Sequence, residues 1–136
     1  MLPKVSKELV IHRLEQAKSD IKASEVLYKE KLLNAANNRA YYAIFHAIRS
    51  VLALEPIDFK RHKDVIAYFN KNYVNTEIFP KSIGRKISQA TQIREDSDYD
   101  DKFEPDEDKT IAQMNTAKEI VDLVEKYIND KIKELK

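Results

Sequence analysis

The chain contains no cysteine, no tryptophan, one glycine and four prolines in 136 residues. Without thiols there is no disulfide framework, no thiolate zinc site and no cysteine nucleophile. With so little glycine and proline, the tight turns of sandwiches, barrels and dinucleotide-binding folds are hard to build. A surplus of one charge is missing too: 24 Lys and Arg against 23 Asp and Glu give a formal charge of +1. That excludes a globally basic nucleic-acid coat and an acidic tail protein, but allows a local patch. No run of 18 apolar residues occurs, so no membrane span is expected. The first residues carry no apolar stretch leading to a small-residue cleavage site, so no signal peptide is expected and the expected compartment is the cytoplasm.

What is present is 43% hydrophobic and 35% charged residues, the composition of helices with one buried and one solvated face. The length suits one domain over residues 1–136. Residues 6–30 read as a helix with Ser6 as N-cap and an apolar stripe through Val10, Leu14, Ala17, Ile21, Ser24 and Tyr28. Residues 32–54 read as a second, more apolar helix that belongs at the centre. A shorter helix is expected over 62–73. Another should start at Pro80, with Ile83, Ile87, Ala90 and Ile93 inward. The segment 95–108 holds nine acids and one lysine and reads as a solvated loop. A last helix then runs from Pro105 and Asp106 on a stripe of Ile111, Met114, Ala117, Val121, Val124, Ile128 and Leu135. The expected fold is all-α, an antiparallel up-and-down bundle of four to five helices.

On the second helix, Asn38, Arg39, Tyr42, His46 and Arg49 form a polar strip in apolar surroundings. Arg39 and His46 are two turns apart on one face, with Tyr42 between them. Cations and an imidazole at a bundle centre are costly unless paired or facing a cleft. Two accounts follow. In one, Arg39 holds a phosphate through its planar fork and His46 moves a proton. In the other, carboxylates such as Asp98 neutralise the arginines in a structural network.

Other constellations are weaker. His62 follows Arg61 at a helix start, where a cap or surface role is usual. Arg94 and Asp98 stand at i,i+4 and can pair locally, with Tyr99 beside them to cover the pair; Asp98→Ala is then expected to destabilise far more than Asp101→Ala. Asp96, Asp98, Asp100 and Glu107 fit positions 1, 3, 5 and 12 of a calcium loop, but Asp101 stands where the sharp turn needs glycine and Pro105 interrupts it. No phosphate-binding glycine loop and no HExxH zinc motif occurs, and three dispersed histidines make no zinc enzyme. No metal and no cofactor is expected.

The run Asn38-Arg39-Ala40-Tyr41-Tyr42-Ala43-Ile44-Phe45-His46-Ala47 resembles the RAYYAxFHA signature of small prokaryotic HEPN-domain proteins. Arg61-His62, the Pro80–Arg85 stretch with Gly84, and Arg94 followed by Asp98-Tyr99 agree with it in order, over about residues 8 to 128. The resemblance implies an antiparallel helical bundle, commonly a homodimer, often paired with a minimal nucleotidyltransferase in toxin–antitoxin or defence systems. It also implies nucleotide or RNA binding. Many members are metal-independent endoribonucleases with an Arg-x(4–6)-His motif, which Arg39 and His46 match with six intervening residues. On that basis Arg39 and His46 are the candidate catalytic pair, and Asn38, Tyr42, Arg49, His62, Arg94, Asp98 and Tyr99 the supporting set. Ala40 stands where the family usually has a polar residue, and the motif lies early in the chain. A non-catalytic dimerisation or partner-binding module therefore stays open as the alternative.

Overall fold

The computed structural model describes residues 5–134. It contains five α-helices: α1 (Lys7–Lys29), α2 (Leu33–Ala53), α3 (His62–Phe69), α4 (Ser82–Tyr99) and α5 (Glu107–Glu134), with a π-helical turn at Asn70–Val74 continuing α3. No strand occurs among the described residues. Ser6 caps α1 as expected, accepting a hydrogen bond from the Leu9 N–H at 3.1 Å. α1 ends without glycine. Lys31 adopts the left-handed conformation (φ 63°), and the Lys31 and Leu32 N–H groups bond back to the Tyr28 and Leu27 carbonyls. That is the double closure by which a helix satisfies its last carbonyls and turns the chain sharply, here into α2.

α2 lies at the centre, packed against α1, α5, α4 and α3. Small residues at Ala36, Ala40, Ala43 and Ala47 let its neighbours approach, while Ile44, Ile48, Val51 and Leu52 fill the core, all at most 1% exposed. α5 contributes Ala117, Ile120, Val121, Val124 and Ile128, and α1 contributes Val10, Leu14 and Ala17. This burial is the main source of stability.

Three expectations fail in detail. The acidic segment is not a loop throughout: α4 runs on to Tyr99, and only about residues 100–106 leave helical geometry. Side-chain contacts hold those last turns. Gln92 donates to Asp96 (2.9 Å), Asn37 donates to Ser97 (3.2 Å), and Arg94 pairs with Asp98 (3.5 Å). α4 also begins at Ser82 rather than at Pro80. In α5, Ile111 faces solvent, and the inward positions of that end are Thr110 and Gln113. Gln113 is tied there because its amide donates to the Ala90 carbonyl at 3.0 Å. Leu135 lies outside the described residues.

Candidate functional site: the polar strip of α2

Helical spacing brings Arg39, Tyr42, His46 and Arg49 to one edge of α2, and the carboxylates that meet them come from elsewhere in the chain. Asp20 on α1 takes two partners: Arg39 Nη1 donates to it at 3.1 Å, and His46 Nε2 lies 3.6 Å from its other oxygen. The first is a charge-assisted hydrogen bond; the second is a close electrostatic contact beyond hydrogen-bond length. The Asp20 side chain is 14% exposed, whereas that of Arg39 is 38% exposed. The guanidinium therefore reaches solvent while its counter-ion is tucked under it. It also sits over the Tyr42 ring, 4.7 Å from the centroid, a cation–π contact that fixes its plane.

A second unit lies one turn further on. Asp58, in the segment after α2, accepts from Arg49 (2.7 Å) and from the buried Arg13 of α1 (3.2 Å). Arg13 donates as well to the Arg49 carbonyl at 3.1 Å. Burial alone would push the Asp58 carboxyl up, but the Arg49 and Phe59 hydrogen bonds and the two guanidinium charges outweigh it and hold it below the usual carboxylate value.

The third unit joins α3 and α4 to the strip. His62, the first residue of α3, stacks on Phe45 with ring centroids 3.9 Å apart, and its Nδ1 is 3.2 Å from the Tyr41 hydroxyl. Arg94 of α4 lies over the Tyr41 ring at 5.1 Å and points Nη2 at the Tyr42 hydroxyl at 3.4 Å. Asn38 donates to Asp98 at 3.4 Å.

The electrostatics favour the neutral form of both imidazoles. Burial lowers the pKa of His46 most; Asp20 opposes this, and Arg49, Arg39 and His62 add to it. Burial, then Arg94 and Arg49, lower that of His62. Burial pushes the Tyr41 hydroxyl up to about 12, so it stays protonated. In neutral His46 the Asp20 carboxylate favours the tautomer with its proton on Nε2. Nδ1 is then the basic nitrogen, and it is buried without a hydrogen-bond partner.

The strip thus assembles Asn38, Arg39, Tyr42, His46, Arg49, His62, Arg94 and Asp98 around two α2 tyrosines. Two expected pairings are corrected. Arg39 is neutralised by Asp20 rather than Asp98, because α1 runs alongside α2 while Asp98 sits at the far end of α4 next to its own i,i+4 partner Arg94. Tyr99 covers nothing: it is 74% exposed at the last turn of α4. Asp20, Asp58 and Arg13 were not singled out from sequence. One signal was available for Arg13, a charge standing three residues after Val10 in the inward phase of the α1 stripe. Five surface cavities among the described residues are lined by neither Arg39 nor His46. Among the described residues no group of acids and histidines could hold a metal ion, and no helix is long and apolar enough to cross a membrane.

Residues 11–127 match the HEPN domain. The chain belongs to the HEPN-domain family. Among its relatives, a Methanocaldococcus jannaschii protein named as a candidate toxin is 30% identical over 131 residues, 96% of each chain. A UPF0332 protein of Thermotoga maritima is 29% identical over 115 residues, 85% of this chain and 87% of that one. A second Methanocaldococcus jannaschii protein also named as a candidate toxin is 25% identical over 118 residues, 87% of this chain and 80% of its own.

Proposed function

We propose that this HEPN-domain protein is the toxin-type component of a two-gene system with a minimal nucleotidyltransferase partner, and that it cuts RNA at the Arg39–His46 pair without a metal. The observation that carries this is the shared carboxylate: one half-buried Asp20 accepts from a solvent-reaching guanidinium at 3.1 Å and lies 3.6 Å from the His46 imidazole. The two relatives named as candidate toxins support the toxin part.

In this chemistry Arg39 holds the scissile phosphate and stabilises the charge that develops on its oxygens. His46 takes the proton of the ribose 2′-hydroxyl, and the 2′-oxygen forms a bond to phosphorus. The bond to the 5′-oxygen breaks, that oxygen takes a proton from a second acid, and a 2′,3′-cyclic phosphate remains. Because Nδ1 of His46 faces inward, the ring must turn to present its basic nitrogen. A homodimer supplies the remaining parts: a second copy placed over the strip provides the second acid and walls for the site. Sedimentation at micromolar concentration tests this; a 16 kDa species throughout removes the composite site.

A specific observation favours a second reading. Arg39, Arg49 and Arg94 each have a carboxylate within 3.5 Å, as a structural network would require. In that case the strip holds the helices and a partner protein without chemistry. The deciding experiment incubates end-labelled single-stranded RNA with the pure protein in excess EDTA. The ribonuclease reading expects products ending in a cyclic phosphate and a loss of about 100-fold or more in rate for Arg39→Ala. Intact RNA with the wild-type dimer leaves the network reading.

A further inference from the structure

The arginines of the α2 strip are all matched by carboxylates, so the site itself offers little free positive charge to attract a polyanion. The chain carries unmatched cations elsewhere, and their placement is informative. Between α3 with its π turn and α4 lie two cavities of about 440 and 340 Å³. Their cationic lining is Lys63, Lys81 and Arg85, and no carboxylate lines either one. Lys81 has an exposed partner in Glu77, but Lys63 and Arg85 have no acid within salt-bridge distance among the described residues. The cavity on α5 beside Lys126 and Lys133 has the opposite character, being lined also by Asp122, Glu125 and Asp130.

The floor of the groove has two further features. The π turn is closed by the Asn75 N–H on the Asn70 carbonyl at 2.8 Å, and π turns of this kind often mark functional positions. Asn70 lines both cavities, and its Oδ1 is buried without a hydrogen-bond donor. Opposite it is Gly84, the only glycine of the chain. A Cβ there would lie 3.3 Å from Val74 Cγ1 and 3.8 Å from Asn70 Oδ1, so a side chain would fill the floor. The groove shares its elements with the strip: Lys63 follows His62 at the start of α3, and Gln92 of the second cavity precedes Arg94 by two residues on α4.

We propose that the α3–α4 groove is a track for single-stranded RNA, with Lys63, Lys81 and Arg85 on successive phosphates and the orphan Asn70 acceptor receiving a base N–H, and that it feeds the chain into the Arg39–His46 site. This rests on the proposal that the protein acts on RNA and names where the strand outside the cut site lies. Unpaired cations beside amide side chains suit a flexible polyanion whose bases are accessible.

The test measures binding of a short labelled, fully 2′-O-methylated RNA by fluorescence anisotropy across a salt series. The blocked 2′-oxygen prevents cutting. Three proteins are compared: wild type, Lys63→Glu/Arg85→Glu, and the control Lys126→Glu/Lys133→Glu, each checked for unchanged melting. The groove variant is expected to bind about 10-fold or more weakly and to flatten the log–log salt slope by about 1.4, two phosphate contacts at 0.7 each. The control should lose far less. Equal losses in the two variants, no loss in the groove variant, or no binding by wild type overturns the track. So does displacement of the RNA by an acidic peptide at lower concentration than by unlabelled RNA, which would assign the groove to a protein. Binding that depends on the groove, without any cleavage of natural RNA by wild type, keeps the track and removes the ribonuclease reading. Cleavage with groove-independent binding does the reverse.

Discussion

The two faces of α2 are built by different rules. Its inward face is closed by apolar stripes from α1 and α5, and each stripe follows from the 3.6-residue period. Its polar edge is closed by single carboxylates, Asp20 from α1 and Asp58 from the segment after α2, which meet Arg39, His46 and Arg49 across the fold. A face held by many interchangeable contacts tolerates variation in detail. A face held by two acids, each shared between two partners, depends on individual residues. The inward face stabilises the bundle; the polar edge carries the groups proposed for chemistry.

The largest effects should come from the inward face. Leu14→Asp or Val121→Asp puts an unpaired charge where the native side chains are 5% and 2% exposed, which costs several kcal/mol. A melting point within a degree or two of wild type would show that the faces are wrongly assigned.

Next comes Asp20→Ala, which strips the partner from both Arg39 and His46. Arg39 reaches water, so the expected loss is about 1–2 kcal/mol rather than that of a fully buried pair. The stability effect should be smaller than for the core variants while the His46 pKa falls further, since the one charge that raises it is gone. An NMR titration in which that pKa rises or stays fixed contradicts the assigned contact.

The polar edge should also give the protein a pH signature. His46 and His62 titrate below 6.5 in the fold, so the unfolded chain binds more protons once pH drops below that value. Their contribution is complete above pH 6.5 and is lost as pH falls toward the folded values. Melting temperature should therefore decline between pH 7 and 5, and His62→Gln should flatten that decline. A flat profile in wild type would mean that the imidazoles are not held neutral.

The smallest effect separates Asp98 from Asp101. Asp98 meets Arg94 and Asn38 with its side chain 28% exposed, so Asp98→Ala should cost about 1 kcal/mol or less. The solvent-facing Asp101→Ala should be indistinguishable from wild type. The heavy loss expected from sequence, on the premise of a buried pair under Tyr99, does not fit an edge position.

Much of this was legible in the sequence. The three long helices, the Ser6 cap and the central place of α2 follow from apolar spacing and one capping residue. The RAYYAIFHA run at residues 39–47 pointed to the family, and the HEPN match bears that out. The counter-ions were not legible, because Asp20 lies 19 residues from Arg39 and no local pattern links them. The end of α4 was misread because nine acids outweighed the side-chain contacts that hold residues 95–99 in helical form. Thr110 and Gln113 were missed because the stripe was traced through apolar residues alone, although both stand in its phase.

The central claim is that the Asp20-linked pair on α2 is a reactive site and not only a brace. It is tested most directly by His46→Gln, measuring RNA cleavage in EDTA and thermal melting on the same preparation. Glutamine keeps a polar side chain beside Asp20 but cannot shuttle a proton at neutral pH. The account expects melting within a few degrees of wild type and cleavage slower by about 100-fold or more. Cleavage equal to wild type, or reduced only as far as the folded fraction falls, would contradict it.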